Sequence, residues 1–323
     1  MPHSKAIIIN LLLIPLVLFA LTASAATGTT DSGKKSAMTT GQAAILGVVE
    51  GLTEYLPVSS TGHLLLAERI MGIGYSTAKS AAEKERTKEA SDAYTICIQA
   101  GAIIAVLGLY FLRVKQMIRG LMGKDPEGRR MLINVAAGFL PAAVIGLLFN
   151  NIIKSYLFGP WPVISAWFAG GVAILAVSWG LRGNHREAHS GMSLNELTWK
   201  MALIIGFAQC IAMWPGVSRS LVTIVGGLLV GMSMAAAVEF SFLLGVVTLG
   251  AATAYDGLRH GHIMLQTFSG TSLAVGVVFA FIAAVLSVKW MVSYLNNHGL
   301  AVFGYYRVAL AVVAAVLIST RMI

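Results

Sequence analysis

Ten apolar runs alternate with polar stretches along the chain, at about 42–56, 62–74, 93–112, 131–150, 161–181, 201–214, 221–232, 235–255, 272–295 and 300–320. Six are about as long as the roughly 20 residues a helix needs to cross a bilayer. The other four, 42–56, 62–74, 201–214 and 221–232, are only about 11–15 residues long. They fall into two pairs, each joined by a short polar turn. Paired short segments predict re-entrant helix–turn–helix hairpins, which a membrane tolerates where the turn is buried in protein. The predicted fold class is therefore all-α: a polytopic membrane protein with two re-entrant hairpins in inverted-topology repeats.

The repeat is visible in the residues. Shifting the sequence by 159 positions lays Gly47 on Gly206, Glu50 on Gln209, Tyr55 on Trp214, Val58 on Val217 and Ser59 on Ser218. Ala43 and Ile45 fall on Ala202 and Ile204. Broken helices at matching places in two halves point to a site at the repeat interface. The domain reading follows: residues 1–25 a signal peptide or N-terminal anchor, 26–40 a polar linker, and 41–323 the membrane domain, with halves at about 41–181 and 200–323. The signal reading rests on Lys5, the apolar run Ala6 to Leu21, and Ala23 and Ala25 at small-x-small spacing, with a cut after Ala25. The alternative is an uncleaved anchor helix.

Composition fits a membrane protein. The 323 residues are 57% hydrophobic and 11% charged, against about 45–50% and about 25% for a soluble domain. Mean hydropathy is +0.77. A formal charge of +9 then reflects loop lysines and arginines, not nucleic-acid binding. Loop 113–130 carries Arg113, Lys115, Arg119, Lys124, Arg129 and Arg130 against Asp125 and Glu127, and loop 182–200 adds Arg182, Arg186 and Lys200. Loops 151–160 and 256–271 carry one base each, and loop 75–92 is balanced. The positive-inside rule places 113–130 and 182–200 in the cytoplasm, so hairpin 42–74 enters from outside and hairpin 201–232 from inside. Cys97 and Cys210 lie in apolar runs and imply neither a disulfide framework nor zinc.

The first turn region reads Glu50-Gly-Leu-Thr-Glu54-Tyr-Leu-Pro57-Val-Ser59-Ser60-Thr61-Gly62-His63. Glu50 and Glu54, four apart, share a helix face, and two carboxylates in a membrane need a shared proton, a cation or a divalent metal. Ser59, Ser60 and Thr61 supply hydroxyls, and a helix start at this turn offers backbone N–H groups to an anion. The second turn, Trp214-Pro215-Gly216-Val217-Ser218-Arg219-Ser220-Leu221-Val222-Thr223, sets a guanidinium between two hydroxyls at a helix start. Those are the parts of a phosphate cradle. Each residue alone has a plainer use: helix cap, packed histidine, snorkelling arginine or proton-sharing pair. Of the other charges, Glu68 and Arg69 fit the interface, Glu239 and Arg307 could pair across helices, and His185, His189, His260, His262 and His298 fall in loops.

The stretches GVVEGLTEYLPVSSTGH (47–63) and GFAQCIAMWPGVSRSLVT (206–223) resemble the undecaprenyl-diphosphate phosphatase family of the bacitracin-resistance type. The likeness runs from about Gly41 to the C-terminus and includes IQAG (98–101), EFSFLL (239–244) and YYR (305–307). It implies a multi-pass bacterial inner-membrane enzyme of interdigitated inverted repeats, its site open to the periplasm. Such an enzyme removes the terminal phosphate of undecaprenyl diphosphate, recycling the carrier for peptidoglycan and other cell-wall polymers and conferring bacitracin resistance. It also implies the ExxxE pair at Glu50 and Glu54, the hydroxyl turn at Ser59 and Ser60, the histidine at His63 and the PGxSRSxxT motif from Pro215 to Thr223. The residues fit that chemistry on their own terms: Arg219 and hairpin N–H groups hold phosphates, with Ser59, Thr61, Gly216, Ser218, Ser220 and Thr223 as substrate contacts. Ser60 is the candidate nucleophile, activated by His63, or else His63 or a glutamate activates water. Glu50 and Glu54 are the expected ligands of a divalent cation, Mg2+ or Ca2+, or else manage protons. The expected partners are a polyprenyl diphosphate and membrane lipids, with no nucleic acid, and a homodimer stays open. Two rivals stand beside this. One is a lipid phosphatase with a histidine nucleophile after an SR pair, but no histidine follows Arg219 within the next dozen residues. The other is a lipid-phosphate transporter or flippase, since inverted repeats are common there.

Overall fold

The computed structural model describes residues 38–73, 81–157, 159–182 and 191–320; the signal-peptide segment 1–25 lies outside the described residues, as does the linker up to residue 37. Among the described residues eleven α-helices follow in order: α1 Thr40–Thr53, α2 Ser60–Met71, α3 Ala81–Leu109, α4 Phe111–Leu121, α5 Pro126–Leu157, α6 Pro160–Arg182, α7 Trp199–Cys210, α8 Arg219–Leu229, α9 Met234–Thr267, α10 Gly270–His298 and α11 Ala301–Ser319. No strand occurs among the described residues, only an isolated bridge between Met192 and Met232. Helices α3, α5, α6, α9, α10 and α11 contain stretches long and apolar enough to cross a membrane. Their outward side chains, such as Leu147, Val172, Leu286 and Val312, are exposed, which suits lipid and not water. The chain is an all-α, multi-pass membrane protein.

Helices α1, α2, α7 and α8 have 14, 12, 12 and 11 residues, so each is at most about 21 Å long against a hydrocarbon core of about 30 Å. The 159-residue shift holds in the packing as well as the sequence. Thr39 caps α1 by accepting from Gln42 N, and Thr198 caps α7 by accepting from Met201 N. Helix α1 lies along α10 and α7 along α5, while α3 meets α9 and α6 meets α11. With α5 equivalent to α10, each half lays its first short helix against the other half's long one. Both contacts are made by glycines: a Cβ on Gly47 would overlap the Gly276 carbonyl, and one on Gly206 the Gly138 carbonyl. Small residues let such backbones touch where lipid gives no hydrophobic drive between helices. Gly47→Ala and Gly206→Ala should therefore each cost about 1–3 kcal/mol through overpacking, read as lowered thermal midpoints of the detergent-purified protein.

Several boundaries differ from the sequence pattern. Most of loop 75–92 is helical, because Ala81–Ala90 is built from Ala, Glu, Lys and Arg apart from Thr87, and their helix propensity outweighs their polarity. Helices α5 and α9 run through most of 151–160 and 256–271. His260 and His262 therefore lie on α9, and His298 ends α10. Loop 113–130 contains the amphipathic helix α4. Residues 183–190 of loop 182–200, including His185, Arg186 and His189, lie outside the described residues.

Candidate functional site

Helix α1 gives way to a turn over Glu54–Val58, where Pro57 lacks an N–H and pushes Leu56 away from helical geometry. The second turn passes through a 3-10 segment, Ile211–Met213, and Pro215 to Gly216, whose φ is 99°. Each turn then ends on a serine in the left-handed region: Ser59 at φ 73° and Ser218 at φ 65°, the two non-glycine residues with positive φ among those described. They are equivalent under the repeat. Such conformations cost about 1–3 kcal/mol each and persist where surrounding contacts hold them, commonly at functional sites.

The surrounding contacts join the two turns. The Leu56 carbonyl accepts from Ser220 Oγ at 2.8 Å and Ser218 Oγ at 3.3 Å. Ser218 Oγ also caps α8 through Leu221 N. Thr223 Oγ1 lies 2.7 Å from Ser241 Oγ and donates back to the Arg219 carbonyl. Arg219 reaches across, donating from Nη2 to Glu54 Oε1 at 3.4 Å and from Nη1 to the Ser241 carbonyl at 2.9 Å. Its guanidinium lies 5.3 Å from the Tyr55 ring, in a space that a side chain on Gly245 would fill. On the other carboxylate oxygen, Glu54 Oε2 accepts from Ser60 Oγ. A hydroxyl, a carboxylate and a guanidinium thus form one chain, Ser60–Glu54–Arg219, spanning both hairpins.

His63 sits beside this chain but not on it. Its Nδ1 contacts the Ser59 carbonyl at 2.7 Å and its Nε2 the Tyr306 hydroxyl at 2.8 Å. A carbonyl only accepts, so Nδ1 carries the proton of the neutral ring and Nε2 accepts from Tyr306. The expected Ser60–His63 hydrogen bond is replaced by Ser60–Glu54, because both imidazole nitrogens are already engaged. The ring packs on Trp167 and Tyr306 at centroid distances of 5.4 and 5.8 Å. Arg307, fully buried, completes the frame: it donates to the carbonyls of Pro57, Gly216 and Ala166, one from each turn and one from α6. Gly170 leaves room for its guanidinium.

Sequence reasoning offered Arg307 to Glu239, but Glu239 instead binds Arg113 at 2.6 Å. Tyr306 and Trp167 were missed, although an arginine within an apolar run is itself a signal that its neighbours line something polar. Glu68 is buried on Ser91 Oγ at 2.6 Å, away from the turns, and Arg69 beside it is exposed. Thr61 is half-buried, one residue beyond Ser60.

Glu50, one turn before Glu54, is fully buried, and neither carboxylate oxygen has a hydrogen-bond partner among the described residues. A carboxyl group so placed requires a proton or a cation. The Tyr55 hydroxyl, Trp167 Nε1 and Arg219 Nε are likewise unpartnered around the turns. At the repeat-related position Gln209 leaves its Nε2 unpartnered too, so only the first hairpin carries the second carboxylate. No cluster of three or more His, Cys, Asp or Glu occurs among the described residues. Oxygen ligands from two carboxylates, completed by phosphate and water, would suit a hard cation such as magnesium or calcium better than a soft one such as zinc or copper.

The chain is similar to known proteins over most of its length. A family model described as bacitracin resistance protein BacA matches residues 43–313. A protein named undecaprenyl-diphosphatase from Sorangium cellulosum (strain So ce56) is 45% identical over 269 residues, covering 83% of each chain. Undecaprenyl-diphosphatase 2 from Rhodospirillum rubrum is 42% identical over 276 residues, covering 84% of this chain and 92% of its own. The Rhodopseudomonas palustris (strain BisA53) undecaprenyl-diphosphatase is 45% identical over 268 residues, 83% of this chain and 92% of its own.

Proposed function

The chain belongs to the BacA family of bacitracin-resistance proteins, and from that membership and its site we infer that it is a membrane phosphatase acting on undecaprenyl diphosphate. The products are undecaprenyl phosphate and inorganic phosphate, so the enzyme recycles the lipid carrier of cell-wall polymers. The observation that carries this reading is the cross-hairpin chain Ser60–Glu54–Arg219.

The roles follow from the contacts. Arg219, with its fork beside two hydroxyls, binds oxygens of the diphosphate and stabilises charge as the bridging bond breaks. Ser60 Oγ attacks the terminal phosphorus while its proton passes to Glu54. The bond from that phosphorus to the bridging oxygen breaks, and its electron pair leaves with undecaprenyl phosphate. Water, deprotonated by a carboxylate, then releases phosphate and restores the hydroxyl. Support for serine over direct water attack is that Ser60 already points its hydroxyl at Glu54. His63 and Arg307 are positioning residues, holding Ser59, Pro57 and Gly216 so that the strained serines keep their places. Ser59, Thr61, Gly216, Ser218, Ser220 and Thr223 lie along the two turns as contacts for phosphate or for the turn itself. Glu50 and Glu54 would hold a divalent cation, which when bound supplies charge neutralisation for the diphosphate. A homodimer is compatible with this reading, but the site needs no second copy.

The reading places the chain in the inner membrane, with both hairpins re-entrant, loop 113–130 cytoplasmic and the site open to the periplasm. Loop charge supports that orientation. In a background without Cys97 and Cys210, a cysteine at Lys124 should resist an impermeant maleimide in intact cells, while one at Thr320 should react. The reverse pattern would invert the topology. For the activity, purified protein given undecaprenyl diphosphate should release phosphate catalytically. Binding without release would indicate a transporter.

A further inference from the structure

A second basic site lies at the far end of α7, twelve helical residues, or about 18 Å, from the second turn. There a cavity of about 270 Å3 opens between the first turns of α5 and α7, lined by Arg129, Arg130, Ile133, Asn134 and Trp199. The apolar stretch of α5 begins at Pro126, so the cavity stands at the membrane boundary. Trp199 is half exposed there, with Lys200 Nζ 5.8 Å from its ring, the residue pair expected where a helix meets lipid headgroups. Helix α4 packs beside α5 and exposes Phe111, Leu112, Ile118 and Leu121, as an interfacial helix does.

Most of the charge at this end has no ion-pair partner among the described residues. Of the ion pairs among the described residues, none involves Arg129, Arg130, Arg119, Lys124 or Lys200. Two of the nearby acids are engaged by other partners. Asp125 accepts from Gly128 N, and Glu127 from Gln116 and Asn195. Glu196 is held below the usual carboxylate range, first by the Ser193 hydroxyl, then by the Ser193 backbone N–H, and to a smaller extent by the nearby Arg130 charge. Arg130 is fixed in place by donating to the Glu196 and Leu197 carbonyls, which leaves its Nη1 without a described partner. Asn134, buried, is tied to the Leu197 carbonyl at 2.7 Å. Arg129 makes no side-chain hydrogen bond to a described residue.

What lies along the helices from the cavity decides between a free anion and a lipid. One face of α5 continues from Arg130 through Ile133, Leu140, Val144 and Leu147, each at least half exposed. Helix α7 and the 3-10 turn that follows it carry a matching exposed stripe at Ile204, Phe207 and Ile211. A headgroup in the cavity would therefore have apolar tracks for its acyl chains.

We propose that this cavity is a binding site for the phosphodiester headgroup of an anionic membrane phospholipid, held by Arg129 and Arg130 and separate from the hydrolytic site. Basic pockets between membrane helices at the interface hold such headgroups, with about 1 kcal/mol, or about fivefold, per basic side chain. The test uses the full-length chain in detergent, with phosphatidylglycerol and phosphatidylcholine as competing probes and retained lipid counted by native mass spectrometry. Wild type should retain phosphatidylglycerol in preference, R129Q should lower that preference about fivefold, and R129Q/R130Q about 25-fold. R129Q breaks no described hydrogen bond, so it keeps the test valid if the double variant fails to fold. K115Q/R119Q, which removes equal charge from α4 outside the cavity, should keep the preference, and inorganic phosphate should not displace the lipid. No preference in wild type, an equal loss in K115Q/R119Q, or displacement by inorganic phosphate would each overturn the proposal. None of these readouts depends on hydrolysis, so they stand apart from the phosphatase reading.

Discussion

Ser60→Ala should reduce turnover at least about 1,000-fold while the purified protein still folds, because the attacking oxygen is gone and only binding and charge stabilisation remain. The variant also leaves Glu54 Oε2 without its donor, which should cost about 1–3 kcal/mol of stability. That cost separates the roles: a hydroxyl that merely ties the turn would lose stability in the same way but retain most turnover. Glu54→Gln keeps an oxygen that can accept from Ser60 but cannot take its proton, so it should lose about 100- to 10,000-fold. Parallel rates and melting curves on the same preparations check both.

Arg219→Lys should fail almost as badly as Arg219→Ala. The guanidinium addresses Glu54 and the Ser241 carbonyl through two different nitrogens while leaving Nε free, a fork that an ammonium cannot reproduce. Loss of a preorganised transition-state contact is worth about 2.7–4 kcal/mol, or about 100- to 1,000-fold in rate. Were Arg219 only a strut between hairpins, the lysine variant would melt early and its folded fraction would turn over normally.

The long spans were legible because each is a near-continuous apolar run, and the hairpins because Pro57 and the Pro215-Gly216 pair interrupt short ones. The duplication was legible in Gly47 and Gly206, and the structure shows why both positions are glycine: each lets its helix touch the opposite half. Left-handed serines were beyond reach, since nothing in the letters Ser59 or Ser218 states a φ. Partner choice was also hidden. Glu239 was offered to Arg307 but meets Arg113 on the amphipathic helix α4, whose basic residues made it read as loop. Arg307 found carbonyls instead of a carboxylate, because each turn presents one C=O group and α6 a third at one point, and a guanidinium has five donors. His63 follows the same pattern: its spacing from Ser60 suggested a dyad, but Ser59 and Tyr306 occupy both nitrogens.

That the two hairpins form one catalytic site is tested most directly by a double-mutant cycle on kcat/KM between Glu54 and Arg219, with undecaprenyl diphosphate as substrate. If the carboxylate and guanidinium act as one unit, Glu54→Gln/Arg219→Gln should be little worse than the worse single variant, a coupling well outside the roughly 0.5 kcal/mol scatter of independent sites. Losses that simply add, with all three variants folded, would mean that the hairpins contribute separately and would contradict a shared site.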